Sequence, residues 1–143
     1  MSLLLAASVL YVFVGLTICA AALIWGGRDE RAAAAGFIVA AAASLVAAAV
    51  QDARYREPQY SVMVVDVIYL VFLLMIVQRS RRFWPLWAAA AHLVGTFTHV
   101  ARIYHPSMLA EAYASVQPFW AFPVLFALAV GTFHNRSAMI ARN

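Results

Sequence analysis

The sequence contains no lysine and little charge of either sign. Its ten basic residues are all arginines, and charged residues make up 11% of the 143 residues. The absence of a lysine amine excludes a Schiff-base mechanism and a phosphate-binding P-loop. Hydrophobic residues reach 66% and the mean hydropathy is +0.84, which is too apolar for a soluble domain. The composition therefore predicts an integral membrane protein.

Cysteine is almost absent, and the common catalytic motifs are missing. The single cysteine, Cys19, excludes an internal disulfide and a cysteine-based metal site. No serine elbow, HExxH motif, pair of carboxylates or glycine-rich phosphate loop occurs in the sequence. The net charge is +4, but the arginines cluster at the ends of apolar runs, where they indicate topology rather than nucleic-acid binding. We therefore expect no catalytic residues and no nucleic-acid partner.

The apolar runs predict an all-α, single-domain bundle of five transmembrane helices, because each span needs about 20 apolar residues. The predicted spans cover residues 3–25, 32–50, 61–78, 86–104 and 118–133, and an interfacial helix is predicted over residues 106–117. The last apolar run is short. Four spans with a re-entrant or interfacial segment are therefore the alternative, and residues 106–133 can form one helix or two.

Local signals predict how the first and last spans end. Gly26 and Gly27 are expected to stop the first span with a positive φ angle. The polar tail after Phe133 is expected to fray.

The distribution of arginines predicts the orientation in the membrane. Five spans place seven arginines on the face that carries the C-terminus and three on the other face. The N-terminus is therefore predicted outside and the C-terminus in the cytoplasm, in a bacterial inner membrane. The turn after the third span is predicted to be a cytoplasmic anchor whose aromatic ring lies in the headgroup layer. Its residues are Arg79, Arg81, Arg82 and Trp84.

The second span carries small residues at every fourth position: Ala32, Gly36, Ala40, Ser44 and Ala48. Such a small-residue stripe allows another helix to approach closely. We favour packing against a neighbouring span of the same chain, and a homodimer seam is the alternative.

Polar side chains interrupt the third and fourth spans at similar depths. Asp66 and His99 each lie about 8 Å from the same membrane face, and neighbouring antiparallel helices would bring them together. An unpaired carboxylate in lipid would cost about 2.5–3.5 kcal/mol, so we predict that Asp66 bonds to His99 or, as a second choice, forms an ion pair with Arg102. Helical spacing extends the polar line to two further residues. The predicted intramembrane polar site consists of Asp66, His99, His92, Arg102 and Thr96.

This polar line has more than one functional interpretation. It is typical of a proton or ion path, or of core histidines that bond to backbone carbonyls. A metal or haem site is a weaker interpretation, because His92 and His99 lie about 10 Å apart along one helix. Bis-histidine haem ligation usually takes its histidines from two facing helices. We expect no cofactor from this chain alone, since a buried haem would need a second copy or a partner subunit.

The leading hypothesis from the sequence is a non-enzymatic membrane protein that acts as a homo-oligomer or as an accessory subunit of a larger membrane complex, docking through the small-residue stripe. Small size supports this hypothesis, because five short spans enclose little volume. A proton-linked transporter or channel is one alternative. A haem- or metal-binding redox component is the other.

Overall fold

The computed structural model describes residues 2–51, 60–104 and 118–141, and in these ranges the chain is helical, without strands. Its five long helices are α1 (Ser2–Trp25), α2 (Arg28–Gln51), α3 (Tyr60–Arg79), α4 (Trp84–Tyr104) and α5 (Ala121–Ile140), and a 3₁₀ turn (Pro118–Trp120) precedes α5. The all-helical prediction is confirmed. The predicted interfacial helix over 106–117 lies outside the described residues.

The five helices form a closed ring. Each helix packs against the next one in the chain, and α5 packs against α1. Because five is an odd number, α1 and α5 must run parallel if successive helices alternate in direction. The contacts show that α1 and α5 are parallel. Tyr11 of α1 contacts Phe122 near the start of α5, with 5.6 Å between the ring centroids. Asn135, near the end of α5, donates to the carbonyl of Trp25 at the end of α1. The end of α1, the start of α2, the end of α3, the start of α4 and the end of α5 therefore share one face.

We call this face the arginine-rich end, because most arginines of the described residues lie there. They are Arg28, Arg31, Arg79, Arg81, Arg82 and Arg136.

Side chains from all five helices fill the interior of the ring. Cys19 from α1, Ala34 from α2, Leu73 from α3, Ala88 from α4 and Leu125 from α5 belong to a single buried cluster. Cys19 is thus a packing residue, as its apolar surroundings in the sequence predict. The bundle is held together by a continuous core of the kind found in close-packed proteins.

The outer surface of the ring is apolar on every helix. Large exposed side chains include Phe13, Val39, Ile68, Phe97 and Phe126, whereas soluble monomers rarely expose extensive apolar surface. Two of the described helices, Arg28–Val50 and Tyr60–Arg79, are long and apolar enough to cross a membrane, and little of each is buried. A core helix of a soluble protein would be largely buried instead. Both observations support a membrane location.

Two helix boundaries differ from the sequence-based expectation. The tail that was expected to fray continues α5 to Ile140, and contacts with α1 explain its order. Asn135 donates to the Trp25 carbonyl at 3.0 Å, and the Arg136 guanidinium lies 4.5 Å from the centre of the Trp25 ring. In addition, α2 begins at Arg28, four residues before the predicted start of the second span.

Gly26, which follows the last residue of α1, is required by close packing and not by a left-handed backbone. Its φ angle is not positive, and a Cβ atom at this position would lie 2.3 Å from the Ala22 carbonyl oxygen and 2.6 Å from Glu30 Cβ. The expected positive φ is therefore wrong. A glycine is needed here because α1 and α2 approach too closely for any side chain.

The small-residue stripe of α2 packs inside the molecule. A Cβ atom on Gly36 would lie 2.7 Å from Phe72 of α3, and Ala32 and Ala40 pack against the buried cluster. Ser44 and Ala48 are half-buried. Because α3 already covers Gly36, this part of the stripe is occupied by intramolecular packing, the interpretation favoured from the sequence, and is closed to a homodimer seam.

Candidate functional site

Asp66 and His99 form a hydrogen-bonded pair between α3 and α4. The Nε2 atom of His99 lies 2.9 Å from Oδ2 of Asp66, the His99 side chain is only 2% exposed, and that of Asp66 is 20% exposed. The two residues lie near the start of α3 and the end of α4, away from the arginine-rich end. The contact predicted from the helical spacing is present in the structure.

Arg102, the second predicted partner of Asp66, is buried in the last turn of α4. The carboxylate pairs with His99 instead. The site is thus a carboxylate–imidazole pair, whose proton can be exchanged, rather than a carboxylate neutralised by a guanidinium that stays charged.

His92 bonds to the backbone and not to the Asp66 carboxylate. Its Nε2 atom lies 3.0 Å from the Asp66 carbonyl oxygen, and since a carbonyl only accepts hydrogen bonds, Nε2 must carry the hydrogen. The ring also meets the Tyr69 ring edge to face, with 4.9 Å between centroids. This matches the interpretation of His92 as a core histidine bonded to a carbonyl.

Thr96 also bonds to the backbone of its own helix, because its hydroxyl donates to the His92 carbonyl at 2.9 Å. The described hydrogen bonds therefore do not link the side chains of His92, Thr96 and His99 into a chain. The predicted polar line is present as a row of residues, and Asp66 and His99 are joined through their side chains.

Tyr69 completes the surroundings of this pair. It lies one turn after Asp66, and its hydroxyl donates to the Ala33 carbonyl of α2 at 3.2 Å. Its ring also packs against Phe37 of α2. The helix that carries Asp66 is therefore held on one side by α4 and on the other by α2, which fixes the depth and direction of the carboxylate.

Within the part of the chain that the structure describes, no three His, Cys, Asp or Glu side chains lie together as a metal site. The Nε2 atoms of both His92 and His99 already bond to Asp66. A metal ion or haem iron at either Nε2 would have to displace one of these bonds.

A second polar site, which sequence reasoning missed, is centred on Glu30 at the arginine-rich end. We call it the Glu30 cluster, and its members are Gly27, Glu30, Arg82, Trp84 and Asn135. The Glu30 side chain is 1% exposed. Its Oε1 accepts from Arg82 Nη1 at 2.7 Å and from Trp84 Nε1 at 2.8 Å, and its Oε2 accepts from the Gly27 amide at 2.9 Å. Every donor is therefore aimed at the charged form of the carboxylate.

The start of α2 explains why Glu30 points inward. Gly27 is the N-cap residue, since its carbonyl accepts the first helical bond from Arg31 N at 3.0 Å. Glu30, at the third helical position, reaches back to the Gly27 amide in the manner of a capping box. The sequence signal was a glycine followed by an acid three residues later.

Arg82 and Trp84 connect this carboxylate to other helices. Arg82 Nη2 donates to Asn135 Oδ1 at 2.9 Å, which joins the turn before α4 to the end of α5. Trp84 packs so closely on α5 that a Cβ atom at Gly131 would lie 2.5 Å from its indole ring. The cluster thus links the ends of α1, α2 and α5 with the turn between α3 and α4.

The predicted cytoplasmic anchor divides into two parts. The Trp84 ring, expected in the headgroup layer, is 5% exposed and lies inside the bundle, because Glu30 accepts its N–H. Arg79 and Arg81 are exposed, and so are the rings of Phe83 and Trp87, at 79% and 70%.

Comparisons with protein families, with curated proteins and with solved structures find no match to this chain.

Proposed function

We propose that this chain is a membrane protein with five transmembrane helices in which Asp66 and His99 bind and release a proton, as part of a proton-linked transporter or channel. The observation that carries the proposal is the 2.9 Å contact between Asp66 Oδ2 and His99 Nε2 inside an apolar bundle. Ionisable side chains in such surroundings are expensive, and in membrane proteins they commonly serve proton or ion movement.

The placement in the membrane rests on the apolar outer surface and on the arginines. With five spans, the arginine-rich end faces the cytoplasm and the Asp66–His99 pair lies near the outer face. A bacterial inner membrane fits the short connections and the distribution of arginines.

The chemistry of the pair is a simple proton exchange. With an imidazolium and a carboxylate, the pair holds one proton on His99 Nε2, which donates to Asp66 Oδ2. Release of that proton toward the outer face leaves a neutral imidazole beside a carboxylate, and uptake restores the ion pair. No bond other than N–H forms or breaks.

The proposal is tested by proton flux in liposomes that contain the full-length protein and a pH-sensitive dye. An imposed membrane potential should drive proton entry in the wild type. Asp66→Asn and His99→Ala should each lower the rate by at least about tenfold, because His99→Ala removes the group that binds the proton and Asp66→Asn removes the negative charge that stabilises the protonated imidazole. Asp29→Asn is the matched control, since it removes a carboxylate at the other end of the bundle and should leave the flux unchanged.

The outcome that overturns the proposal is a flux of wild-type size in both site variants. Insertion and orientation are tested separately by labelling Ser80→Cys with a membrane-impermeant maleimide, against a background of buried Cys19. Labelling in intact cells would contradict the cytoplasmic position of this turn. Extraction of the protein without detergent would contradict insertion.

An accessory subunit or homo-oligomer is the second candidate function, and the filled interior favours it. Tyr69, Leu73 and Leu125 occupy the centre of the ring, so a solute larger than a proton would need a path at a contact with another subunit. Such a contact would use the exposed apolar faces, since α3 covers Gly36 of the small-residue stripe. A protein that runs as a lone monomer in mild detergent, with no co-purifying partner, would count against this candidate.

A further inference from the structure

The arginine-rich end has more positive charge than its own acidic groups use. The described residues on this face include six arginines and two acids, Asp29 and Glu30. Glu30 is neutralised by Arg82 at 2.7 Å. Asp29 is half-buried in the first turn of α2, where it compensates the helix dipole.

Two of the remaining arginines are already bound to the chain. Arg31 donates to the carbonyls of Gly26 and Ile24 at 2.9 and 3.3 Å, which satisfies the end of α1. Arg136 lies over the Trp25 ring. Both guanidinium groups are therefore held against α1.

Three arginines of this face remain. Arg28 is exposed in the first turn of α2, where the acidic Asp29 is its neighbour in the sequence. Arg79 and Arg81 have no acidic neighbour in the sequence. Both are exposed at the junction of α3 and α4, and neither has an ion pair with a described residue, where the two ion pairs are Arg82–Glu30 and His99–Asp66. The helix dipole of α3 offers Arg79 only a weak interaction. Two strongly hydrogen-bonding cations are therefore available to an external anion.

Exposed aromatic rings lie beside these cations in the sequence. Phe83 and Trp87 are 79% and 70% exposed. Phe83 directly precedes α4, and Trp87 lies in its first turn. In contrast, the neighbouring Trp84 is buried. We call Arg79, Arg81, Phe83 and Trp87 the basic–aromatic rim.

We propose that the basic–aromatic rim binds an anionic phospholipid, with the phosphate on Arg79 and Arg81 and the upper acyl chain along Phe83 and Trp87. Guanidinium groups suit phosphate oxygens because they offer several donors in one plane, and aromatic rings are stable at the level of the headgroups. This inference depends on the insertion of the bundle in a bilayer, but not on proton binding by Asp66 and His99.

The test uses tryptophan fluorescence of the full-length protein in vesicles of phosphatidylglycerol and phosphatidylcholine, in which one lipid or the other carries brominated acyl chains. Bromine quenches nearby tryptophans. The difference between wild type and Trp87→Phe isolates the signal of Trp87 from that of the other three tryptophans.

Brominated phosphatidylglycerol should quench Trp87 in preference to brominated phosphatidylcholine. Each basic residue near a membrane surface strengthens the binding of anionic lipid by about fivefold. Removal of two charges in Arg79→Gln/Arg81→Gln should abolish most of the preference, and high salt should weaken it in the wild type. The control variant Arg136→Gln removes one arginine that is already bound to Trp25, and it should retain the preference.

Three outcomes would overturn this inference. The first is equal quenching of wild-type Trp87 by the two lipids. The second is a preference for phosphatidylglycerol that survives in Arg79→Gln/Arg81→Gln. If the double variant does not fold, the same outcome is sought in the two single variants. The third is loss of the preferential quenching when excess inorganic phosphate is added, which would indicate a site for a soluble phosphate instead of a lipid. Proton flux is measured separately, so a failure here leaves the role of Asp66 and His99 to its own test.

Discussion

The carboxylates of Glu30 and Asp66 are held in different ways. Glu30 accepts three hydrogen bonds, from a backbone amide, an indole and a guanidinium, and none of these donors loses its proton near neutral pH. Asp66 instead bonds to the imidazole of His99, a ring that can carry either one or two N–H protons. The first arrangement holds a charge in place, whereas the second can change its charge. We infer that the Glu30 cluster stabilises the bundle and that the Asp66–His99 pair carries the chemistry.

The sharpest test of this difference is the same type of substitution at both carboxylates. Glu30→Gln should have the largest effect on the free energy of unfolding, a loss of about 3 kcal/mol, because the new amide NH₂ faces a donor and leaves buried groups without an acceptor. The measurement is unfolding in mixed detergent micelles, followed by circular dichroism. Asp29→Asn is the control and should change the free energy little. A loss for Glu30→Gln no larger than that of the control would contradict a stabilising role.

Packing beneath the Glu30 cluster gives the next largest effect. Gly131→Ala would place a methyl group 2.5 Å from the Trp84 ring, and this ring cannot move away without breaking its bond to Glu30. We expect a loss of about 2 kcal/mol in the free energy of unfolding, measured in the same way. Gly15→Ala is matched, because its Cβ would lie 3.7 Å from Leu125 in ordinary contact. Equal stability of the two variants would show that Trp84 is free to shift.

The bridging role of Arg82 is tested by Arg82→Lys. One ammonium group keeps the positive charge but cannot bond to both Glu30 and Asn135 as the planar guanidinium does. Since Arg82 is 42% exposed, screening by water reduces the expected loss to about 1 kcal/mol or less. A double-mutant cycle with Asn135→Ala measures the coupling directly. Additive effects of the two substitutions would mean that the 2.9 Å contact between them contributes nothing.

The smallest effect on stability is expected at the pair that we propose to be functional. Asp66→Asn keeps an amide oxygen that can accept from His99 Nε2, so the free energy of unfolding should change by less than about 1 kcal/mol. The same variant should lose proton flux. A large loss of stability together with unchanged flux would reverse the roles that we assign to Asp66 and Glu30.

The fold was predictable to a large extent because the apolar runs are long and their ends carry clear signals. Pro85 lies in the first turn of α4, as expected of a residue without an amide hydrogen. The pairing of Asp66 with His99 also followed from the sequence, because two neighbouring antiparallel helices leave few partners at a given depth.

The Glu30 cluster was not predictable in the same way. Its members are separated by up to 108 residues, from Gly27 to Asn135, and they meet only because α5 closes the ring against α1. The burial of Trp84 had the same cause. Its sequence position beside arginines is typical of an interfacial ring, but Gly131 on α5 provides the space that takes the indole inside.

The sequence by itself determined the helical class, the apolar surface and the end of the bundle at which the arginines gather, since these properties depend on composition and on order along the chain. Only the tertiary structure decided that Glu30 is buried and held by three donors. The physical reason is that a carboxylate's behaviour depends on the donors around it, and for Glu30 those donors come from α2 and from the turn between α3 and α4, positioned in turn by α5.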